Sequence, residues 1–164
     1  MNRIINNKIF ILPACFATVV ILGACSSGRE ITTATPQEII QAVTNDQWKF
    51  IATYVTPAYG SSRSLTSEYS VTTNNKKLVV ALPYYGKLNS PAGALSGNPL
   101  DFASTSFNIS KEPRSNGGWW VNIKNPDPEV QSMSFTFFDN GSAQLSITMT
   151  NRTGISYTGR VMPV

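Results

Sequence analysis

From Trp48 onward the chain alternates apolar and polar residues with a period of two, and Gly, Pro, Asn and Asp interrupt the alternation at short intervals. Successive side chains of a strand point to opposite faces, so this is the mark of antiparallel strands separated by turns. The pattern predicts strands near 47–55, 67–73, 77–83, 102–110, 118–124, 130–138, 142–150 and 154–162. Asn140-Gly141 is the strongest hairpin signal, because both residues tolerate the positive φ of a type I′ turn; Asn74-Asn75 is a second. Faces follow from the same alternation. Trp48, Phe50, Ala52, Tyr54, Ala103, Phe107, Ile109, Trp119, Val121, Ile123, Met133, Phe135, Phe137, Leu145, Ile147, Met149, Ile155, Tyr157 and Val161 are expected inside. The other face is polar apart from Ile51, Val55, Val79, Ala81, Trp120 and Phe138.

One stretch departs from this period. In "TPQEIIQAV" Thr35 stands as a helix N-cap, Pro36 at the first helical position and Glu38 three after the cap, which is the capping-box arrangement. The helix should end near Asn45. Ile39, Ile40 and Val43 share a face, expected to cover some of the apolar exceptions on the outer face of the sheet. The fold class is therefore mainly β (α+β), with about eight antiparallel strands in a strongly curved sheet or barrel and one short N-terminal helix.

Ahead of the helix the polarity changes again. Arg3 and Lys8 precede a mostly apolar run from Ile9 to Ala24, the layout of a secretory leader. As a helix the run would reach only about 24 Å, short of the ~30 Å hydrocarbon core of a bilayer. Leu22-Gly23-Ala24-Cys25 resembles the lipobox of bacterial lipoproteins, in which the cysteine thiol is diacylated and becomes the first residue of the mature chain. Each buried lipid CH₂ contributes about 0.8 kcal/mol, so two or three acyl chains, palmitate among them, make a lasting anchor. The domain expectation is 1–24 leader, 25–35 lipidated tether and 36–164 a single β-rich domain. Ser26 and Ser27 lack the aspartate that retains lipoproteins in the inner membrane, so the expected address is the outer membrane of the cell envelope, facing the periplasm.

Charge narrows the range of partners. Arg3 and Lys8 leave with the leader, and the formal charge of +4 falls to about +2. The remaining basic residues are scattered, with Lys76-Lys77 the one adjacent pair, so no stripe suited to nucleic acid exists. The expected partners are the lipid bilayer, reached through acylated Cys25, and an envelope protein or small ligand.

Two stretches carry a family resemblance: Leu65 to Leu88, with "LPYYGK" at Leu82 to Lys87, and Phe137 to Val161, with "NGSA" at Asn140 to Ala143 and the spaced Arg152, Ile155, Tyr157 and Gly159. The chain resembles a family of Bacteroidota lipoproteins classed as domain of unknown function 4251. The resemblance implies an envelope lipoprotein and assigns no catalytic residue.

Chemistry-bearing residues are few. Histidine is absent, which removes Ser-His-Asp and Cys-His catalysis and nearly every zinc constellation, and no Ser-x-x-Lys occurs. No cofactor, metal or catalytic residue is expected. Carboxylates remain: Asp127 and Glu129 flank Pro128 and pose the alternative of a carboxylate-dependent envelope hydrolase, against a proline-stiffened turn. Asp101 and Asp139 sit at strand boundaries as turn residues. Trp119 and Trp120 cannot both enter one core, and parity leaves Trp120 outside. The loop Gly86 to Pro99 is too long for a hairpin and follows Tyr84 and Tyr85. The candidate ligand or partner residues are thus Tyr84, Tyr85, Lys87, Leu88, Leu95 and Trp120.

Overall fold

The computed structural model describes residues 34–89 and 97–164. The elements are α1 (Pro36–Thr44), β1 (Trp48–Pro57), β2 (Arg63–Asn74), β3 (Lys77–Ala81), β4 (Asp101–Ser104), β5 (Asn108–Pro113), β6 (Trp119–Asp127), β7 (Val130–Phe137), β8 (Ser142–Met149) and β9 (Ile155–Pro163). Among the described residues no helix is long and apolar enough to cross a membrane.

The nine strands form one sheet in the order β4-β3-β2-β1-β9-β8-β7-β6-β5, antiparallel at every step. Two strands separate β1 from β7, yet the Trp48 ring meets Phe135 at 5.0 Å and Phe137 at 4.9 Å, both edge to face. Contact across that interval requires the sheet to curl upon itself into a half-barrel. The inner face holds a single apolar core that includes Trp48, Phe50, Val71, Leu78, Val121, Ile123, Met133, Leu145 and Tyr157.

Because nine is odd, strict alternation leaves the two edge strands β4 and β5 running in the same direction. They cannot complete an antiparallel ladder. Only residues 105–107 separate them, so the sequence stretch expected as one strand over 102–110 divides into a half that pairs with β3 and a half that pairs with β6. The short link shifts the alternation by one residue. Phe102 therefore packs on the core beside Phe107 and Ile109, and Ala103, expected inside, is exposed.

A bulge corrects a second pair of expectations. The register of β1 against both neighbours shifts between Ala52 and Tyr54, which turns every later side chain to the other face. Val55 is consequently buried and Tyr54 exposed. The bulge faces Gly159, where any Cβ would run into the carbonyl oxygen of Ile51, so the closeness of β1 and β9 here depends on glycine.

The turns lie where the sequence placed them, with altered detail. Gly141 has φ 78 but Asn140 is not in the positive region, and the Gly141 N–H donates to the Phe138 carbonyl at 2.9 Å. The β7–β8 hairpin is thus a type I turn closed by a left-handed glycine rather than type I′. Positive φ at both Asn75 and Lys76 moves the β2–β3 turn one residue beyond Asn74-Asn75.

The helix forms as its caps dictate. The Thr35 N–H donates to Glu38 Oε2 at 2.8 Å, and the Glu38 N–H returns to Thr35 Oγ1 at 3.4 Å. The Thr35 N–H, and after it the Thr35 hydroxyl, which donates to Glu38 Oε2 at 2.9 Å, hold the Glu38 carboxyl below its usual range. At the other end Asp46 takes φ 55, and the N–H groups of Asp46 and Gln47 turn back to the carbonyls of Val43 and Ala42, a left-handed C-terminal cap. Lys111 on edge strand β5 donates to the Val43 and Thr44 carbonyls and to Asp46 Oδ1, at 3.2, 2.8 and 2.9 Å. A cation is thereby placed at the negative end of the helix dipole.

The position of α1 differs from the expectation. Ile39, Ala42 and Val43 enter the same core as Trp48 and Phe50, so the helix plugs the inside of the curl and leaves Val79 and Trp120 exposed on the outside. It sits at the end where β1 begins, β2 turns into β3 and β9 finishes, as the Gln47–Asn75 and Val164–Gln47 hydrogen bonds show. Burial of apolar area contributes more than shielding scattered residues on a polar face, which is why the interior wins.

Candidate functional site

The end of the half-barrel opposite α1 is built from the β1–β2 loop, the segment that leaves β3, and the β8–β9 turn. Pro83 cannot donate to a ladder, so β3 ends and the chain crosses toward residues 150–154. Tyr84 is half-buried; its hydroxyl donates to the Thr153 carbonyl at 2.7 Å. One backbone bond and one side-chain bond fasten the same segments, from Thr153 N–H to the Lys87 carbonyl at 2.9 Å and from Lys87 N–H to Thr153 Oγ1 at 3.0 Å. Leu88 forms an isolated bridge with Arg152. Beneath them the Tyr157 hydroxyl donates to the Pro83 carbonyl at 2.7 Å. Burial, and then the neighbouring phenols of Tyr84 and Tyr85, push the Tyr157 hydroxyl far above the usual tyrosine value.

Tyr84 therefore acts as a fastening rather than as a presented ring, and Tyr85 remains outside. Arg63 lies 4.9 Å over the Tyr85 ring, and Lys87 Nζ lies 5.9 Å from the ring of Tyr59, which is 66 % exposed. Leu88 is also exposed. Of the candidates in this group, Tyr85, Lys87 and Leu88 share one surface, and Tyr59 and Arg63 join them. Leu95 lies outside the described residues, as do Cys25 and the leader.

The carboxylate pair is occupied. Asp127 Oδ1 accepts the Glu129 N–H at 2.9 Å, closing the turn around Pro128. Glu129 Oε2 accepts from Arg152 Nε at 2.8 Å, and the Thr150 N–H and Oγ bind the carbonyls of Glu129 and Pro128. Asp127 does line an open hollow of about 540 Å³, with Asn125 and Gln131, but Glu129 is turned away from it. Among the described residues no three His, Cys, Asp or Glu side chains are grouped to hold a metal ion.

Trp120 belongs to a different surface, on the outside of β5, β6 and β7. It is 51 % exposed. Cα partners run Glu112↔Trp120↔Thr136 and Ser110↔Asn122↔Ser134 across the three strands. A shallow groove of about 400 Å³ lies over these side chains and Lys124. The Asn122 amide donates to Ser134 Oγ at 3.0 Å. Arg114 is wedged between the rings of Phe138 at 4.7 Å and Trp120 at 5.7 Å. Glu112, Asn122, Ser134 and Thr136 were not singled out from the sequence. Their outward parity was readable, but the lateral register that sets them beside Trp120 was not.

The family model for domain of unknown function 4251 (DUF4251) matches residues 30–161. The chain belongs to the DUF4251 family. No curated protein matches it. A crystal structure of a DUF4251 family protein from Bacteroides eggerthii has a similar fold, with a TM-score of 0.58 at 15 % identity, covering 78 % of this chain and 87 % of that one. In this DUF4251 protein the family segment Leu82 to Lys87 is thus the crossing that Tyr84 and Tyr157 fasten, and Asn140 to Ala143 is the β7–β8 hairpin.

Proposed function

We propose that this DUF4251 protein is a lipid-anchored component of the bacterial cell envelope, probing the periplasm from the outer membrane, whose half-barrel binds a ligand or partner rather than catalysing a reaction. One observation carries the binding reading. The carboxylates that could serve as an acid/base pair are spent on a turn and on an ion pair with Arg152, whereas Trp120, Tyr59 and Tyr85 stay exposed with polar or cationic neighbours. Exposed aromatics with polar surroundings are the usual anchors of recognition. The anchoring rests on the sequence "LGAC" ending at Cys25, behind a charged start and an apolar run.

Both halves are open to one experiment in the native envelope. Cys25→Ala should abolish labelling by palmitate and leave unprocessed precursor, and a photo-crosslinking residue at position 85 or 120 of the anchored protein should capture a specific envelope constituent. Unchanged detergent-phase partitioning of Cys25→Ala overturns the anchor. An absence of any adduct at both positions overturns the binding role.

A further inference from the structure

The groove around Trp120 can be read further, on the premise that the protein is a binding module. We propose that the outer face of β5–β7 is a binding site for a neutral glycan, with a pyranose ring stacked on Trp120. An indole has a negative face, and the C–H bonds on one side of a pyranose ring offer an apolar, weakly positive surface of matching shape. The hydroxyls at the rim of such a ring then need donors and acceptors in the plane beside the indole. Glu112 and Thr136 stand there, directly across β5 and β7 from Trp120.

The next step along β6 repeats the supply. Ser134 Oγ accepts from the Asn122 amide, so its own hydrogen is left to donate into the groove. The amide oxygen of Asn122, shielded from solvent, has no hydrogen-bond partner among the described residues. Being shielded, that oxygen is out of reach of a ligand hydroxyl, and Asn122 serves the groove through the amide hydrogen bond that orients Ser134. Lys124 lies two residues further, about 13 Å from Trp120 at strand rise, so the groove is long enough to follow a chain of sugars rather than a single ring.

Charge selects among occupants. The groove holds one carboxylate, Glu112, and one ammonium, Lys124, and neither forms an ion pair among the described residues. With the Arg114 guanidinium 5.7 Å from the Trp120 ring, the surroundings carry one excess positive charge, too little to select a polyanion, while hydroxyl groups can donate to Glu112 and accept from Lys124. At about 400 Å³ and open to solvent, the groove is at the small end of ligand sites, which suits a polar ligand that keeps one side in water.

The test titrates the full-length, detergent-solubilised protein with short glucan, mannan and xylan oligosaccharides by calorimetry, a readout that does not depend on Trp120 as its reporter. At least one series is expected to give saturable binding that is insensitive to salt, at least tenfold weaker in Trp120→Ala, retained in Trp120→Phe and weakened several-fold in Asn122→Ala. Trp120 is half in solvent, so Trp120→Ala is expected to fold, and a wild-type melting midpoint verifies it. No saturable binding, binding that survives Trp120→Ala unchanged, or preference for acidic polysaccharides that fades with salt each overturns the assignment. Capture of an envelope protein at position 120 without glycan binding also overturns it while leaving the binding-module reading intact. Cleavage of an oligosaccharide overturns both.

Discussion

Tyr157 shows how much a single residue ties together. Its ring fills the core of β9 and its hydroxyl reaches Pro83, 74 positions earlier in the chain. Since burial raises its folded-state pKa, the unfolded chain loses the proton first as pH rises through about 10, the ordinary tyrosine value. From there upward the native state binds more protons than the unfolded one, so stability is intact below that pH and declines above it. Tyr157→Phe should cost about 1 kcal/mol at neutral pH for the lost hydrogen bond and should flatten this alkaline decline. Urea midpoints measured from pH 8 to pH 11 give the comparison, and an unchanged slope in the variant would assign the decline to another group. Parity alone put the Tyr157 ring inside and left Trp120 out. It could not distinguish Tyr84 from Tyr85, because which ring is spent depends on Thr153, a residue far away in sequence and adjacent only once the sheet has curled.

Among the elements, α1 was legible in nearly every local feature and illegible in its destination. Its N-terminal capping box and its end are written within eleven residues, from Thr35 to Asn45, and formed as expected. Which side of the sheet it covers is a property of the curl, and the chain near the helix carries no sign of that. The bulge at β1 and the short link between β4 and β5 were hidden for a similar reason: each inserts an odd number of residues into an alternation that continues to look regular on either side. Ile39 is buried in the core, so Ile39→Asp places an unpaired carboxylate there and should lower stability by roughly 3 kcal/mol. Thermal melting of the variant is the check, and a midpoint within a degree or two of wild type would mean that the helix leaves the core at little cost.

On the scale of the molecule, the sheet is two uninterrupted meanders, β1 to β4 and β5 to β9, joined where the first strand pairs with the last. The family match, over residues 30–161, takes in both meanders. The short link over residues 105–107 and the gap between Val164 and Ala34 consequently play interchangeable parts. The C-terminal Pro163 and Val164 lie beside Glu38 and Gln41 of α1, so a short linker from Val164 to Ala34 would close the chain into a ring. Opened between Ser104 and Asn108, that ring reads β5 through β9, then α1, then β1 through β4, with the same neighbours throughout. Such a circular permutant is expected to unfold in a single cooperative transition, and a loss of cooperativity in denaturant would show that the covalent link holds the curl. In this light residues 34–164 form a loop in all but connectivity, and the gap between Val164 and Ala34 marks only one of two places where it can be cut.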